Sequence, residues 1–292
     1  MNTDDMVGTV AIVTGGSEGL GRAIARRFVG AGASVMICAR TASHLEEAGE
    51  ELRALAADGA NIGVMVADVR SPSDVRGLVD ATLAWNGRID VLVNNAGVYG
   101  PMGAIEDVAW HEWVRAIEVN LYGSVLMCRS VVPVMKRQRA GKIIQLSGGG
   151  ATSPMPNLSA YAVSKAAVVR FAETLALELR DYGVDVNAIA PGALNTRMLD
   201  EVLAAGPERA GRAFYERAVS QQQSGGAGFS AGVELAHFLG SAGSNGISGK
   251  LISAQWDAWT DWPSFLEELR ATDAYTLRRV TGRDRGLTWG DK

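Results

Sequence analysis

Short apolar runs alternate with longer amphipathic stretches over most of the chain, and this alternation constrains the fold more strongly than any other feature. The runs with the length of buried strands are Val10–Val13, Ser34–Ala39, Ile62–Ala67, Asp90–Val93, Lys142–Leu146, Asp185–Ala190 and Gly249–Ser253. The helices expected between the first six runs are Arg22–Val29, Ser43–Asp58, Ser73–Asn86, Trp110–Arg139 and Ala160–Arg180. Strands that alternate with helices pair in parallel through right-handed crossovers. The sequence therefore predicts an α/β domain with a doubly wound, seven-stranded parallel sheet.

Local signals predict where two of these helices begin or bend. Ser43 precedes acidic residues of the kind found in a first helical turn, so it is the expected N-cap of the second helix. Pro133 lies inside the long fourth helix and is expected to kink or break it, because proline lacks a backbone N–H.

Composition excludes several classes of partner and compartment. The 292 residues carry a net charge of −4, which gives no basic surface for nucleic acid. There is no apolar run long enough to span a membrane and no signal peptide, so no membrane partner is expected. Cys38 and Cys128 lie among apolar residues, which is typical of a reduced, cytoplasmic protein. The three histidines are scattered, and we expect no metal site.

The first strand leads directly into a glycine-rich turn, Thr14–Gly21, and then into a helix. Its glycines follow the spacing Gly-x-x-x-Gly-x-Gly at Gly15, Gly19 and Gly21. Such a turn lets the backbone approach a phosphate, and the N–H groups of the helix start point toward it. We therefore expect a dinucleotide phosphate site here. The alternative is a glycine-rich turn that binds nothing.

Residues at the end of the second strand bear on which dinucleotide is bound. An acid at this position accepts from the adenosine 2′-hydroxyl of NAD, whereas an arginine suits the 2′-phosphate of NADP. Here the strand ends in Arg40, which favours NADP. Glu18 in the phosphate loop is a contrary signal, because a carboxylate repels a 2′-phosphate. We expect NADP, with NAD as the alternative.

Two other strand ends carry polar residues. Asp68 follows the third strand and either accepts from the adenine amino group or caps the turn before Pro72. The fourth strand runs into Asn94-Asn95-Ala96-Gly97. Asparagines at this place tie neighbouring backbones together, and the small residues leave room for a ligand.

Tyr161 and Lys165 are four residues apart on a predicted helix, so both side chains project from the same face. A phenol has an ordinary pKa of about 10. A nearby ammonium lowers that value, so this pair predicts a tyrosine that exchanges a proton with an alcohol or ketone. An ordinary amphipathic helix is the alternative. Asn120, amid apolar neighbours, is expected to face inward.

Together these residues resemble the short-chain dehydrogenase/reductase family, in its classical branch. The matching positions, in the family's order over roughly residues 7 to 255, are Thr14–Gly21, Asp68, Asn94–Gly97, Asn120, Ser147, Tyr161–Lys165, Pro191-Gly192 and Thr196. The resemblance implies a single Rossmann-type domain and hydride transfer between a nicotinamide cofactor and a ketone or secondary alcohol. It also implies a homotetramer or homodimer built on the helices that contain Asn120 and Tyr161.

The resemblance implies a role for each catalytic residue. Tyr161 is the general acid for ketone reduction, Ser147 hydrogen-bonds the substrate oxygen, and Lys165 lowers the tyrosine pKa and binds the nicotinamide ribose. Asn120 holds a water that links Lys165 to solvent. The implied cofactor-binding residues are Gly15, Ser17, Glu18, Gly19, Leu20, Gly21, Arg40, Asp68, Val69, Asn95, Ala96, Gly97, Tyr161, Lys165, Pro191, Gly192 and Thr196.

Function classes other than this enzyme stay open at this point. A regulator on the same fold that senses NADP(H) without turnover is one alternative, and a purely structural subunit is another. For an enzyme, a sugar-like ketone, a natural-product ketone and a 3-oxoacyl thioester are all compatible substrates.

Three segments depart from the family's common form or vary within it. Three glycines follow Ser147 and either widen the pocket floor or make this loop mobile. Residues 194–228 are expected to form a substrate lid, with a polar, flexible stretch at Gln221–Gly226, or else a surface connection. A Trp-rich extension, residues 256–292, follows the domain 1–255 and either caps the pocket or packs on its own or a neighbouring subunit. A helix is expected to start in it at Trp262-Pro263.

Overall fold

The computed structural model describes residues 5–289, and its centre is one sheet of seven parallel strands. The strands are β1 (Val10–Thr14), β2 (Ser34–Ala39), β3 (Ile62–Val66), β4 (Val91–Asn94), β5 (Gly141–Leu146), β6 (Val184–Ala190) and β7 (Leu251–Ser253). Their order across the sheet is β3-β2-β1-β4-β5-β6-β7, and every neighbouring pair is parallel. The predicted Rossmann-type, doubly wound sheet is thus confirmed.

Ten α-helices accompany the sheet within residues 5–289. They are α1 (Gly19–Val29), α2 (Ala42–Leu55), α3 (Pro72–Asn86), α4 (Trp110–Ile117), α5 (Gly123–Gln138), α6 (Ser159–Leu179), α7 (Arg197–Ala210), α8 (Arg212–Gln223), α9 (Ser230–Gly240) and α10 (Leu266–Ala271). No helix in this part of the chain combines the length and the apolar character needed to cross a bilayer.

Alternate residues of each strand pack on opposite faces of the sheet. In β1, Ala11 and Val13 join the core shared with α1, α2 and α9, whereas Ile12 joins the core shared with α3, α5 and α6. Side chains alternate in this way because successive Cβ atoms of a strand point to opposite sides. Strands covered on both faces read as continuous apolar runs, which is why they are visible in the sequence.

The strand order reverses between β1 and β4. From β1 the chain proceeds through β2 to β3 at one edge, and from β4 it proceeds to β7 at the other edge. The loops that leave these two neighbouring strands diverge, so a crevice opens beyond the strands' carboxyl ends.

The long helix predicted over Trp110–Arg139 is interrupted elsewhere than expected. A π-helical turn, Glu118–Tyr122, separates α4 from α5, and α5 continues through Pro133 to Gln138. The prediction of a break at Pro133 was wrong. Val131, Val134 and Met135 are buried beside the proline, and this packing holds the helix together. The π turn contains Asn120, and such turns occur often at functional sites.

Two other helices each start one residue earlier than expected. Helix α2 has Thr41, not Ser43, at its N-cap, and no side chain caps it. Helix α3 begins at Pro72, and the Ser71 hydroxyl accepts from the Asp74 N–H at 3.3 Å. Proline suits the first helical position, since that N–H has no partner inside the helix.

The C-terminal extension packs onto the core of the same chain. A 3₁₀ helix, Trp259–Phe265, precedes α10, so the α-helix starts at Leu266 rather than at Trp262-Pro263. Trp259 lies against Phe238, with ring centroids 5.2 Å apart, and Trp262 lies 4.3 Å from Tyr275. The Leu251 N–H donates to the Tyr275 carbonyl at 2.8 Å, so the extension also covers part of the outer edge of β7.

Candidate active site

A cleft of about 270 Å³ occupies the crevice where the strand order reverses. It runs from the end of β2 across the phosphate loop to α6. The predicted residues that line it are Gly15, Ser17, Glu18, Gly19, Leu20, Arg40, Asp68, Val69, Asn95, Ala96, Gly97, Ser147, Tyr161, Lys165, Pro191, Gly192 and Thr196. Two predicted residues, Gly21 and Asn120, lie behind the wall. The topology thus brings distant parts of the sequence to one place.

The phosphate loop is held in shape by close backbone packing. Gly15 and Gly19 have φ angles of +63° and +54°, which favour glycine. The Asn95 side chain donates to the carbonyls of Thr14 and Gly15 at 3.0 and 3.1 Å. A Cβ at Gly21 would overlap the Gly15 carbonyl oxygen. Gly21 therefore permits helix and loop to pack, and the α1 N-terminus, which can receive a phosphate, faces the cleft.

Asp68 is paired with Arg70 at the end of the cleft next to β2 and β3. The guanidinium lies 2.6 Å from a carboxylate oxygen of Asp68 and 3.4 Å from Glu118. Hydrogen bonding from Arg70 holds the pKa of Asp68 below its ordinary value. Asp68 also accepts a hydrogen bond from the backbone N–H of Arg70 at 3.0 Å. It therefore caps the turn before Pro72, which is one of the two roles expected for it.

The carboxylate of Glu18 likewise has side-chain partners. It is hydrogen-bonded to His44 of α2 and lies 3.7 Å from the Arg197 guanidinium at the start of α7. Arg40, in contrast, has no ion-pair partner among residues 5–289, although it lines the cleft. The charge that remains unpaired at this end of the cleft, among the described residues, is therefore positive.

Ser147, Tyr161 and Lys165 meet at the other end of the cleft. Ser147 follows β5, and its hydroxyl donates to the Lys165 carbonyl at 3.4 Å. Lys165 Nζ donates to the Leu146 carbonyl at 2.7 Å and lies 5.6 Å from the Tyr161 ring centroid. The Tyr161 hydroxyl has no hydrogen-bond partner within residues 5–289 and lines the cleft. It is placed to bind a substrate oxygen.

Burial changes the proton affinities of this pair. Burial raises the pKa of Tyr161 above its ordinary value, and Tyr99 adds to the effect. Burial lowers the pKa of Lys165 to about 8. The net direction of the Tyr161 pKa is thus opposite to the lowering expected from Lys165, and loss of solvation is the largest cause.

Asn120 positions the wall of the cleft. Its Oδ1 accepts from the Val98 N–H at 2.8 Å, and its Nδ2 donates to the Val98 carbonyl at 2.9 Å and to the Ser164 hydroxyl at 2.8 Å. The side chain is 1% exposed. It joins the loop after β4 to α6, and the inward orientation expected from its apolar neighbours is confirmed.

Several residues that line the cleft were missed from the sequence. They are Cys38, Ala39, Thr41, Ala67, Val98, Tyr99, Val119 and Leu146. Leu194, Arg197 and Met198 also line the cleft, and they lie in the stretch 194–228 that was expected to form the lid. Tyr99 is the most consequential, since its ring centroid lies 4.7 Å from that of Tyr161. Its place two residues after Gly97 was a usable signal, because the loop at this strand end borders the crevice.

Helices α7 and α8 cover the cleft near Tyr161. Leu199 and Val202 of α7 and Ala218 of α8 are buried in a cluster with Tyr161. Helix α7 bends at Gly206, which has a φ of +75°. Gln221–Gln223 belong to α8, so the first half of the stretch expected to be flexible is helical. Residues 256–289 of the C-terminal extension do not line the cleft.

The glycines after Ser147 have different surroundings, which gives a prediction. A Cβ at Gly148 would overlap the Tyr161 hydroxyl, whereas a Cβ at Gly149 meets no atom within 4 Å. Gly148→Ala is expected to displace the phenol and lower kcat by about tenfold or more, because small misplacements of a catalytic group are costly. Gly149→Ala is the matched control and should keep kcat within about twofold of the parent enzyme. Equal kcat values for both variants would contradict this packing.

Comparison with known proteins identifies the family. The family model for short chain dehydrogenases matches residues 9–206. The 3beta-hydroxysteroid dehydrogenase 1 of Eggerthella lenta is 41% identical over 217 residues, which cover 74% of this chain and 81% of that protein.

Solved structures agree with this match. NAD⁺-bound xylitol dehydrogenase has a TM-score of 0.77 at 27% identity, covering 85% of this chain and 98% of its own. A variant of actinorhodin polyketide ketoreductase with NADPH has a TM-score of 0.76 at 31% identity, covering 87% and 97%. The protein is an oxidoreductase that transfers a hydride between a nicotinamide cofactor and a ketone or secondary alcohol. From its matched residues and its cleft, the chain belongs to the short-chain dehydrogenase family.

Proposed function

We propose that Tyr161 is the proton donor and acceptor of the reaction, with Ser147 as its partner at the substrate oxygen. The observation that carries this proposal is the Tyr161 hydroxyl, which lines the cleft beside Ser147 and pairs with no residue in the range 5–289. A bound nicotinamide supplies or receives the hydride. In the direction of reduction, Tyr161 gives its proton to the ketone oxygen, and Ser147 stabilises the charge that develops there.

Lys165 and Asn120 support this exchange. Lys165 has three N–H donors, of which one binds the Leu146 carbonyl. The other donors suit the hydroxyls of a nicotinamide ribose, and the buried ammonium favours the phenolate when Tyr161 has given up its proton. Asn120 holds the water of a proton relay from Lys165 to solvent. Its firm attachment to Val98 and Ser164 supports a fixed position for that water.

The preferred cofactor is NADP. The cleft extends from Arg40 to Lys165, with the phosphate loop between them. This arrangement suits a dinucleotide. At the adenosine end the carboxylates of Glu18 and Asp68 are each paired with a cation, which weakens their repulsion of a 2′-phosphate. Arg40 is exposed and available for that phosphate.

A titration with NADPH and NADH tests this preference. Arg40→Gln is expected to weaken NADPH binding by about tenfold or more, since a charge-assisted hydrogen bond contributes about 1.5–3 kcal/mol. NADH binding should change by less than about twofold. Arg88→Gln is the control, because Arg88 pairs with Asp90 at the other end of the sheet. If Arg40→Gln weakens both cofactors equally, Arg40 does not read the 2′-phosphate.

The names of the relatives bear on the reacting group of the substrate. A hydroxysteroid dehydrogenase acts on an alcohol carried by a ring, and the relative with that name is 41% identical. This supports a ring ketone or ring alcohol over a sugar-like ketone or a 3-oxoacyl thioester. Turnover of decalone, a bicyclic ketone, tests this choice; faster turnover of dihydroxyacetone would reverse it.

The assembly is a homodimer or homotetramer built on the helices around Asn120 and Tyr161. Large apolar side chains exposed on these helices support this interface: Trp110 at 72%, Tyr122 at 55%, Val163 at 51% and Leu177 at 65%. A reducing, cytoplasmic location is supported by Cys38 and Cys128, which are buried and unpaired. Sedimentation as a monomer at micromolar concentration would contradict the proposed assembly. A fluorescent-protein fusion found outside the cytoplasm would contradict the location.

A further inference from the structure

The substrate end of the cleft is bordered by an apolar and aromatic cluster. Its buried members lie where the lid meets the body of the protein: Met102, Leu158, Tyr161, Leu199, Val202, Ala210 and Ala218. Its partly buried members keep accessible surface: Tyr99, Met155, Met198, Leu203, Ala205, Phe214 and Tyr215. Rings and methionines together give a surface that is flat in places and adaptable in others.

Tyr99 stands at the centre of this cluster. Its ring packs edge-to-face on Tyr161 at 4.7 Å and edge-to-face on Phe214 of the lid at 6.1 Å. Tyr99 and Met198 both line the cleft, one from the body and the other from the lid. A substrate whose carbonyl reaches Tyr161 therefore lies next to the Tyr99 ring.

Three polar side chains near this cluster are bound to other side chains or to the backbone. Asn157 Nδ2 donates to the Arg209 carbonyl at 3.0 Å, and Arg209 Nε donates to the Met102 carbonyl at 3.3 Å. Arg197 faces both Glu18 and Glu201, at 3.7 and 3.5 Å. Part of the hydrogen-bonding capacity of these groups is therefore already used within the protein.

We infer that the substrate is a large, flat, apolar ring ketone or its alcohol, and that the Tyr99 ring is the wall that selects it. The inference rests on the proposed role of Tyr161 and adds a specificity residue next to it. A flat ring system gains binding free energy by covering aromatic surface. A small polar ketone leaves that surface exposed to water and gains no binding free energy from it. Met198 closes over the occupant from the lid side.

The test compares four ketones with NADPH: androstanedione, decalone, dihydroxyacetone and the N-acetylcysteamine thioester of acetoacetate. The parent enzyme is expected to prefer androstanedione over dihydroxyacetone by about 100-fold or more in kcat/KM. Tyr99→Ala should lower kcat/KM for androstanedione by about tenfold or more, because a buried ring contact of this size is lost. Because Tyr99 also packs on Tyr161, the diagnostic quantity is the ratio of kcat/KM for androstanedione to kcat/KM for dihydroxyacetone, which should fall by about tenfold or more in this variant.

Two further variants make the outcome specific to the Tyr99 ring. Tyr99→Phe keeps the ring and should retain the preference for androstanedione within about threefold. Tyr182→Ala is the control, because Tyr182 is also a partly buried tyrosine but precedes β6, at the opposite end of the sheet. Its ketone preference should equal that of the parent enzyme.

The outcomes separate this inference from the proposed function. Loss of turnover for all ketones in Tyr161→Phe, with a lost preference in Tyr99→Ala, supports both. An unchanged preference in Tyr99→Ala, or a parent enzyme that prefers dihydroxyacetone or the thioester, overturns the inference and leaves the role of Tyr161 intact. Full activity in Tyr161→Phe overturns the proposed function instead.

Discussion

Replacing Tyr161 by phenylalanine is expected to lower kcat by about 10²- to 10⁴-fold, the range that a positioned acid–base group contributes. The change removes one oxygen from a ring that is otherwise held by Tyr99 and the lid cluster. The ring itself stays in place, so the dissociation constant for NADPH should change by less than about twofold. Steady-state turnover and a fluorescence titration on the same preparation measure the two effects separately.

The control for this variant is Tyr182→Phe, which removes a phenol oxygen far from the cleft and should keep kcat within about twofold. A Tyr161→Phe enzyme with more than about a tenth of the parent kcat would show that another group moves the proton. Retained NADPH binding with no turnover in the parent protein would instead favour the regulator that senses NADP(H).

Replacing Trp262 by alanine is expected to lower the free energy of unfolding by about 3–5 kcal/mol, as for other large aromatic side chains removed from a core. Trp262 is 5% exposed, lies 4.3 Å from Tyr275 and belongs to the cluster that contains α1, α2 and α9. Its loss also removes a packing partner of Tyr275, whose carbonyl accepts a hydrogen bond from the Leu251 N–H in the edge strand β7. Urea denaturation monitored by circular dichroism measures the change.

Trp256 provides the matched control in the same extension. It is 88% exposed, and Trp256→Ala should change the free energy of unfolding by less than about 0.5 kcal/mol. A loss below about 1 kcal/mol for Trp262→Ala would mean that the extension is a separate attachment rather than part of the core. Neither tryptophan lines the cleft, so the substrate preference of both folded variants should match that of the parent enzyme.

The sheet was predictable because its signals are local. Each strand is buried on both faces and therefore reads as a short apolar run, and the glycines of the phosphate loop sit at fixed offsets from β1. Tyr161 and Lys165 were predicted from their helical spacing together with the family resemblance, and Ser147 from that resemblance. The distances between these three side chains could not be predicted from the sequence, because they depend on how the chain folds.

The errors arose where tertiary contacts decide the outcome. Helix α5 continues through Pro133 beside buried neighbours, and Asn120 in the π turn contacts Val98 and Ser164, which are distant in sequence. The pairing of Glu18 with His44 and Arg197 joins three elements that are far apart in the sequence. The raised pKa of Tyr161 depends on burial by the lid, which helical spacing does not reveal.

The most direct measurement of the central claim uses NADPH carrying deuterium at the transferable nicotinamide position. The enzyme is incubated with this NADPH and decalone, and the alcohol is analysed by mass spectrometry. Hydride transfer from this cofactor predicts one deuterium on the carbinol carbon of the alcohol and formation of an equal amount of NADP⁺. Binding of NADPH without deuterium in any product from the four ketones would contradict hydride transfer as the activity of this protein.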